Sequence, residues 1–591
     1  MTAQPMKTSI VILTYNQLNY TKVCIDSIRK FTTPGSYELI VVDNLSTDGT
    51  RDWLAEQTDI MTIFNSQNEG FPKGCNQGIA IATGDNVLLL NNDVIVAPEW
   101  LDNLLTCLYS DESIGAVGPV TNNSANHQMI PVPYDSIEDM LQFAISMNVS
   151  NPDKWEERIK LVGLCMLIKR EVIDQIGVLD EIFTPGNFED SDYSFRILQA
   201  GYKMMVCRDT FIHHFGSVSF KARPGNSYTD VMNINQEKFR QKWGFHSGYA
   251  TQINYTLIKK INTHADAELK VLELGCGCGA TLLEIKNQYP NAELHGVDIN
   301  KAAIAIASHF SNAVVGDIEK DLDYPEKYFD YILLPNVLEY VTNPYALISD
   351  IRKYVKSDGM ILAKVHNGMF YEDVIDFING QYKPEYIGYA HQVPLHHFSH
   401  VELRNLFNKA NYKNVECIGE VSQPLTDEQQ AQIDKIAEIS IHDPSTKRQY
   451  EVENYIVSGQ TIVQSSLDEL VPQSDEFVIS MVNLLLANEI HMDDLIAYID
   501  GNKIITEDRS VLYNHLAIEL YNNEKYDLVL PLFQNGLKWN EANEELLSNM
   551  GIMLYNFGEK KLAVHYLAQI KNPDLDIQNL MMDIRQELHG E

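Results

Sequence analysis

The stretch Val87-Leu-Leu-Leu-Asn-Asn-Asp-Val-Ile-Val96 joins an apolar strand to a second short apolar run and places one carboxylate, Asp93, between them. In open α/β sheets, ligands bind outside the carboxyl ends of the strands. An acid at that position is well placed to hold a divalent cation against a diphosphate. An Asn-Asn-Asp turn explains the same residues without a ligand, because Asn and Asp tolerate turn geometry. The stretch alone leaves both interpretations open.

Three further apolar runs, at residues 9–13, 37–42 and 61–64, precede this one and alternate with helical stretches. The alternation predicts an α/β fold built from parallel βαβ units. Polar or aromatic residues follow each run, and their convergence at one sheet edge predicts a nucleotide pocket. The candidates are Thr14, Tyr15, Asn16, Asp43, Asn44, Ser46, Asn68, Gly70, Phe71, Asn76 and Asn92. An ordinary turn or helix cap is the alternative for each residue alone.

Two later segments add candidate chemistry. Phe183-Thr-Pro-Gly-Asn-Phe-Glu-Asp-Ser-Asp-Tyr-Ser-Phe-Arg196 places three acids at the head of an amphipathic helix, where the helix dipole favours them. Capping explains one acid, but three acids within four residues are more than a cap needs. Thr210-Phe-Ile-His-His-Phe-Gly-Ser217 carries two histidines, and neutral histidine is a common metal ligand. Ordinary strand histidines are the alternative for the second segment.

Taken in order, these motifs resemble glycosyltransferase family 2 over residues 8 to about 220. The resemblance implies a GT-A fold, a UDP-sugar donor, a divalent metal (Mn²⁺ or Mg²⁺) and inversion at the anomeric carbon. It also implies that Asp43 binds the uracil end, that Asp93 binds the metal and that Asp190 is the general base.

Two further assignments follow from the same resemblance. His214 is expected at the metal or the diphosphate, with His213 in reserve. Asp192 is expected to be structural and to hold the loop or Arg196.

A second series of apolar runs with polar ends begins at residue 271. It reads Val271-Leu-Glu-Leu-Gly-Cys-Gly-Cys-Gly279 and is followed by Leu294-His-Gly-Val-Asp298. A glycine loop after a strand lets a cofactor approach the backbone, and an acid after the next strand can hold ribose hydroxyls. Together with Val315-Gly-Asp-Ile318, this form resembles the Rossmann-like class I S-adenosylmethionine methyltransferases over roughly 250 to 465. The implied cofactor contacts are Glu273, Gly275, Gly277, Gly279, Asp298, Asp317 and Ile318. Relatives usually have histidine in place of Tyr340, so a domain that binds the cofactor without transferring methyl groups is the alternative.

The C-terminal part is predicted to be helical after residue 475. Three positions recur at a spacing of 34 residues, with Ala517, Val529 and Phe533 returning as Gly551, Ala563 and Leu567. This spacing resembles tetratricopeptide repeats, which bind peptides and therefore suggest a protein acceptor. Residues 477–499 are expected either to form a degenerate first unit or to leave the tail packed on the methyltransferase-like part. A generic helical bundle is the alternative.

Length and composition limit the classes of function. The length of 591 residues predicts about three or four domains. The motifs place three of them, at 1–248, 249–465 and 466–591. A balance of 45 basic to 81 acidic residues gives a net charge of −36, which disfavours nucleic acid and anionic membranes as partners. No apolar run could span a bilayer, no signal peptide is evident, and eight dispersed cysteines suggest no disulfide framework, so a cytoplasmic protein is expected. A homo-oligomer is compatible with the sequence.

These observations predict an inverting glycosyltransferase that moves a sugar such as N-acetylglucosamine from a UDP-sugar to serine or threonine hydroxyls of a protein acceptor such as flagellin. The S-adenosylmethionine domain would methylate the glycan. Two alternatives stay open. One is an enzyme that builds a cell-surface polysaccharide, as rhamnosyl-type transferases do, and the other is a scaffold whose enzyme-like domains only bind ligands.

Overall fold

A computed structural model describes residues 6–124, 126–216, 228–380, 394–421, 425–439, 444–461, 476–487, 490, 492–501 and 508–589. The described chain forms two β-sheets flanked by helices, followed by a helical tail. Within these ranges, no helix is both long enough and apolar enough to cross a membrane.

The first sheet has nine strands: β1 Thr8–Thr14, β2 Tyr37–Asp43, β3 Ile60–Phe64, β4 Asn86–Asn91, β5 Val94–Ile95, β6 Ile114–Thr121, β7 Trp155–Glu157, β8 Cys165–Lys169 and β9 Lys203–His214. Their order is β3-β2-β1-β4-β8-β6-β9-β5, with β7 paired to β9. Strands β1 to β4 are parallel, which confirms the predicted βαβ units. Strand β8 then pairs antiparallel with β4 and makes the sheet mixed. Its helices are Leu18–Phe31, Thr50–Ala55, Phe71–Ile81, Trp100–Leu108, Ile137–Met147, Arg170–Ile176 and Glu189–Gln199.

The stretch from Val87 to Val96 forms most of β4, a two-residue turn and β5. Strand β4 is almost continuously apolar because both of its faces are buried. Asn92 and Asp93 form the turn, and β5 pairs antiparallel with the end of β9. The sequence left open whether these residues form a turn or carry a metal-binding acid. The two interpretations are compatible, because Asp93 lies in the turn itself.

The second sheet has seven strands: β10 Lys270–Leu274, β11 Glu293–Asp298, β12 Asn312–Val315, β13 Phe329–Pro335, β14 Val355–His366, β15 Lys413–Glu420 and β16 Asn454–Gln460. Their order is β12-β11-β10-β13-β14-β16-β15, and β16 runs antiparallel to both β14 and β15. Its helices are Ala280–Gln288, Lys301–Ala307, Pro344–Ile351, Tyr371–Ile378, His400–Lys409 and Asp427–Ile439. The last of these lies between β15 and β16 along the chain.

A packed seam joins the two sheets. The helices Tyr228–Trp243, Ser247–Ala250 and Tyr255–Ile258 lie between them. The Trp243 ring packs edge-on against Phe195, with centroids 5.3 Å apart, while Asn300 Nδ2 donates to the Gly244 carbonyl at 2.8 Å. One buried apolar cluster continues from the first sheet into the second. Because this segment contacts both sheets, the boundary at residue 248 stays a prediction.

The tail consists of the helices Phe477–Leu486, Met492–Gly501, Arg509–Asn522, Tyr526–Trp539, Glu544–Asn556, Lys560–Leu567 and Leu575–His589. The positions that recur every 34 residues are all buried. A Cβ atom at Gly551 would lie 2.5 Å from Leu567 Cδ2, so close helix packing explains the small residue there. Phe477 and Leu495 share the core of the later helices, so the helices Phe477–Leu486 and Met492–Gly501 pack with the rest of the tail.

Candidate functional site

Asp93 and His214 meet at the junction of the β4–β5 turn and β9. Pairing of β5 with β9 places Val94 opposite His214. The Asp93 Oδ1 atom lies 3.2 Å from His214 Nε2, and both side chains are buried. His214 Nδ1 donates to the Asn123 carbonyl at 2.7 Å, so Nε2 is the ring nitrogen that faces the carboxylate.

The two neighbouring histidines have different surroundings. Burial acts to lower the pKa of His214, but the hydrogen bond and negative charge of Asp93 outweigh it, and the pKa is raised. His213 Nδ1 instead lies 2.8 Å from the Tyr134 hydroxyl, and burial lowers the pKa of this ring. The structure therefore brings His214 to Asp93 and leaves His213 among aromatic rings.

The Asp93–His214 pair fits a divalent cation in its donor chemistry. A carboxylate oxygen and a ring nitrogen face each other there, and both are ordinary ligands for such ions. Among the described residues, no group of three or more His, Cys, Asp or Glu side chains could hold a metal by itself. A cation at this pair would therefore need further ligands from a diphosphate or from water.

Asp43 ends β2 at the floor of the predicted nucleotide pocket and is fully buried. Its Oδ1 accepts the Ser46 N–H at 3.1 Å and lies 3.2 Å from Arg51 Nη1. Its Oδ2 is buried without a hydrogen-bond partner in the described chain. Because an unsatisfied buried acceptor is costly, this oxygen suits a donor supplied by a ligand. Sequence reasoning did not find Arg51, since no motif marked it.

Loops that follow β1, β2 and β3 are tied together by several of the predicted polar residues. The Asn16 N–H donates to Ser46 Oγ at 2.7 Å, which joins the first loop to the second. Asn44 Nδ2 donates to the Gly70 carbonyl at 3.0 Å, which joins the second loop to the third. The Gly70 N–H donates to Asn68 Oδ1 at 3.0 Å within the third loop. These residues assemble the edge of the sheet as the sequence predicts.

The remaining pocket candidates differ in their surroundings. Asn76 Nδ2 donates to the Leu179 carbonyl at 2.9 Å, so this side chain holds the loop before the acidic helix. Asn92 Nδ2 donates to Thr14 Oγ1 at 3.3 Å and is also buried. Tyr15 is half-buried at the end of β1. Asn76 and Asn92 thus use their amides within the protein.

Asp190 lies in the first turn of the helix Glu189–Gln199. Its Oδ2 accepts the Gly163 N–H at 3.2 Å, and its Oδ1 accepts the Ser191 N–H at 2.7 Å. The next residue after Gly163, Leu164, accepts the Asn91 N–H at 2.9 Å. Hydrogen bonds to Gly163 and Leu164 therefore connect the Asp190 carboxylate with the end of β4, directly before the turn that carries Asp93.

The loop before the acidic helix also contacts the loop that follows β3. The Phe71 N–H donates to the Pro185 carbonyl at 2.9 Å. A Cβ atom at Gly70 would lie 2.9 Å from Thr184 Cγ2, so this approach requires the glycine.

The other two acids of this helix have separate roles. Burial, together with the neighbouring charge of Asp190, raises the pKa of Glu189 well above its usual range. Asp192 is fully buried and accepts from Arg196 Nε at 3.0 Å and from Trp243 Nε1 at 2.9 Å. The predicted structural role of Asp192 is confirmed.

A second site lies at the carboxyl edge of the second sheet. A cavity of about 780 Å³ opens there. Its walls include four of the predicted cofactor residues, Gly275, Asp298, Asp317 and Ile318. Asp298 accepts the Gly277 N–H at 2.9 Å and the Asn300 N–H at 2.8 Å, which holds the glycine loop beside the acid.

Three predicted cofactor residues, Glu273, Gly277 and Gly279, are not among the described walls of that cavity. Both glycines have positive φ and shape the loop. Burial raises the pKa of Glu273 to about 8, and its Oε2 has no partner among the described residues. Asn336, Tyr340 and Leu395 also line the cavity, and the sequence assigned no cofactor contact to Asn336 or Leu395. The size, the glycine cradle and the acid fit an adenosyl cofactor.

Comparison with known proteins supports two catalytic domains. Residues 9–177 match the family model "Glycosyl transferase family 2", and residues 249–417 match the model "Methyltransferase domain". The chain therefore carries a family 2 glycosyltransferase domain with a GT-A-like fold and a Rossmann-like methyltransferase domain. Asp190 and His214 lie beyond the residues that the first model matches.

Several curated proteins are similar to part of this chain. An uncharacterized protein of Sinorhizobium fredii is 27% identical over 36% of this chain and 24% of its own length. The low-salt glycan biosynthesis hexosyltransferase Agl10 of Haloferax volcanii is 28% identical over 34% of this chain and 64% of its own. Glycosyltransferase AglE of the same organism is 24% identical over 39% of this chain and 76% of its own. The chain thus spans less than two thirds of the length of the first two relatives.

Proposed function

We propose that the glycosyltransferase domain moves a sugar from a UDP-sugar to an acceptor hydroxyl with inversion, and that Asp190 is the general base. The observation that carries this proposal is the position of Asp190. Its carboxylate is oriented by the Gly163 and Ser191 N–H groups and is linked through Leu164 to the strand that ends before Asp93. A half-exposed, oriented carboxylate beside a phosphate-binding turn suits proton abstraction.

In the proposed reaction, Asp190 accepts the proton of the acceptor hydroxyl while that oxygen forms a bond to the anomeric carbon. The bond from that carbon to the diphosphate oxygen breaks, and UDP leaves with the electron pair. A divalent cation held by Asp93 and His214 would neutralise the charge of the leaving diphosphate. Direct in-line displacement explains the inversion.

Asp43 supplies the donor end of the proposed site. Its buried Oδ2 accepts no hydrogen bond within the described protein and would accept the N–H of uracil. Arg51 holds the other carboxylate oxygen at 3.2 Å and so orients the free one. This arrangement supports a uridine nucleotide over a donor without an imide N–H.

For the acceptor, we propose a hydroxyl of a growing glycan. The name of the Haloferax hexosyltransferase supports glycan assembly as the setting. A serine or threonine hydroxyl of a protein such as flagellin is the second candidate. The paired helices of the tail favour it, because stacked helix pairs of the tetratricopeptide type bind peptides.

The methyltransferase domain is proposed to bind S-adenosylmethionine and to methylate the same glycan. Its 780 Å³ cavity brings Gly275, Asp298 and Asp317 together. Asp298 would accept from ribose hydroxyls, as acids after the second strand of such sheets do. When bound, the cofactor would supply an electrophilic methyl group.

The proposal is tested by incubating the full chain with Mn²⁺ and a panel of UDP-sugars that includes UDP-N-acetylglucosamine. Lipid-linked glycans and unfolded flagellin serve as separate acceptors, and intact mass is measured with and without S-adenosylmethionine. One sugar increment on a glycan is expected, followed by an increment of one methyl group when the cofactor is present. An increment on flagellin alone would favour the protein acceptor, and release of UDP without any acceptor product would contradict the transfer.

A further inference from the structure

A cavity of about 340 Å³ lies in the seam between the two catalytic domains, apart from both proposed sites. Its walls include His127, Arg158, Lys160, Gln252, Tyr255 and Leu283. The first three belong to the glycosyltransferase domain, and Leu283 lies on the helix Ala280–Gln288 of the methyltransferase domain. None of its lining residues lines the 780 Å³ cavity. Its size is within the range of pockets for small organic ligands.

Two cations in the cavity wall have donors that the described protein leaves unused. Arg158 is buried, with Nη1 lying 2.5 Å from Glu284 Oε2 and Nη2 contacting Glu156. The Nε–H of Arg158 has no acceptor among the described residues. The Lys160 ammonium forms no hydrogen bond or ion pair with any described residue. An uncompensated buried donor is costly, so the Arg158 Nε–H suits an acceptor supplied from outside. The Lys160 ammonium is only partly buried and is available to the same acceptor.

The histidine in the wall lies close to three cations. Burial and the charges of Arg158, Lys160 and Arg208 lower the pKa of His127 to about 4. His127 Nδ1 lies 3.2 Å from the Tyr255 hydroxyl, a group that can donate to this ring nitrogen. Arg158 and Arg208 share Glu156, Arg158 also pairs with Glu284, and Lys160 has no acidic partner among the described residues. The net charge of the whole chain is −36, so this excess of positive charge is local.

We propose that the seam cavity binds a small organic anion with a phosphate or carboxylate group, which Lys160 and Arg158 contact directly. Charge-assisted hydrogen bonds to such groups are about twice as strong as neutral ones. Ile253 and Leu283 form an apolar wall that suits the carbon skeleton of the ligand. This site does not depend on the proposed glycosyl transfer.

The position of the cavity implies that its ligand touches both domains. Ala280 lines the cavity and directly follows Gly279 of the cofactor loop. The neighbouring Thr281 Oγ1 accepts the Asn254 N–H at 3.1 Å, which ties the linker to the same helix. Binding at Lys160 would therefore stabilise the seam from both sides.

The test uses the full chain in EDTA, which removes any metal-dependent binding of phosphate at the donor pocket. Glucose 1-phosphate and glucuronate probe the two anionic groups, and glucose is the uncharged control. At least one anion should raise Tm, and glucose should not. Hydrogen exchange should slow at residues 247–258 and 280–288 when that anion is bound.

Lys160→Gln should raise the Kd for that anion about tenfold, as expected for loss of a charged hydrogen bond. Lys154→Gln, at an exposed lysine of the same segment, should leave the Kd unchanged. The proposal is overturned if neither anion binds, if glucose binds equally well, or if Lys160→Gln binds as the unsubstituted chain does.

Discussion

The imidazole of His214 faces the carboxylate of Asp93 at 3.2 Å, and the hydrogen bond from Nδ1 to the Asn123 carbonyl fixes that orientation. The pairing of β5 with β9 produces this contact between residues distant in the sequence. Adjacent residues of a strand point to opposite faces, so His213 cannot share it. The pair gives the proposed metal site its two protein ligands.

Metal binding should therefore distinguish the two histidines. In the presence of UDP, His214→Gln is expected to weaken Mn²⁺ binding by about ten- to a hundredfold, because a protein ligand is lost. His213→Gln is the matched control and should bind Mn²⁺ normally, since its ring contacts Tyr134 instead. Free Mn²⁺ can be followed by electron paramagnetic resonance. Equal losses in both variants would contradict the assignment.

Donor binding should depend on the unpartnered oxygen of Asp43. Asp43→Asn replaces one carboxylate oxygen by an NH₂ group, so the side chain can no longer accept hydrogen bonds both from Ser46 and from uracil. UDP binding is expected to weaken about tenfold. Asp52→Asn, at an exposed acid of the helix Thr50–Ala55, should have no effect. Isothermal titration with UDP gives the comparison, and Tm reports whether the variants fold. Unchanged UDP affinity in folded Asp43→Asn would refute the uracil contact.

Glu273 should make the stability of the methyltransferase domain depend on pH. Its pKa is raised from 4.5 to about 8 in the folded chain, so the folded state binds the proton more tightly than the unfolded state. The stabilisation is complete below about pH 4.5 and is lost as pH rises through about 8. Between about pH 5 and pH 8, the contribution of Glu273 to the free energy of unfolding falls by at most about 4 kcal/mol, because one pKa unit corresponds to about 1.36 kcal/mol.

Glu273→Gln should flatten this dependence, whereas Glu268→Gln, at an exposed acid nearby, should not. Thermal denaturation of the full chain from about pH 5 to pH 8 measures the difference. If stability depended on pH in the same way in Glu273→Gln and in the unsubstituted chain, the raised pKa of Glu273 would be contradicted.

Close packing at Gly551 should control the stability of the tail. Gly551→Val would push a side chain into Leu567, because even the added Cβ atom would lie 2.5 Å from Leu567 Cδ2. Overpacking of this kind is expected to cost about 1–3 kcal/mol in the free energy of unfolding. Lys561→Val introduces the same side chain at an exposed helical position and should cost less than about 1 kcal/mol. Urea denaturation followed by far-ultraviolet circular dichroism would measure both values, and equal costs would contradict the packing argument.

Periodicity and motif order were sufficient to predict much of the fold. The strands β1 to β4 and the strands that carry Glu273 and Asp298 were predicted because apolar runs with polar ends are a local signal. The antiparallel insertion of β8 between β4 and β6 was not predicted, since strand pairing is a long-range property. The period of 34 residues marked buried positions of the tail correctly because close helix packing demands small residues.

The site was predictable in part for the same reason. Asp93, Asp190 and His214 stand in recognisable motifs, whereas the contact between two of them depends on the pairing of β5 with β9. Arg51 was missed because an ion pair with Asp43 leaves no sequence signal. Asn76 and Asn92 stand in motifs too, but their amides hydrogen-bond within the protein. Motifs identify chemistry, and long-range contacts decide which side chains remain available.

The role of Asp190 is the central claim, and single-turnover transfer by Asp190→Asn tests it most directly. The substitution keeps the shape of the side chain and removes the base, so the transfer rate should fall by about 10²–10⁴-fold while UDP-sugar affinity is retained. Asp174→Asn, at an exposed acid of the helix Arg170–Ile176, should transfer at the normal rate. If Asp190→Asn bound the donor and transferred sugar at the normal rate, Asp190 would not be the base.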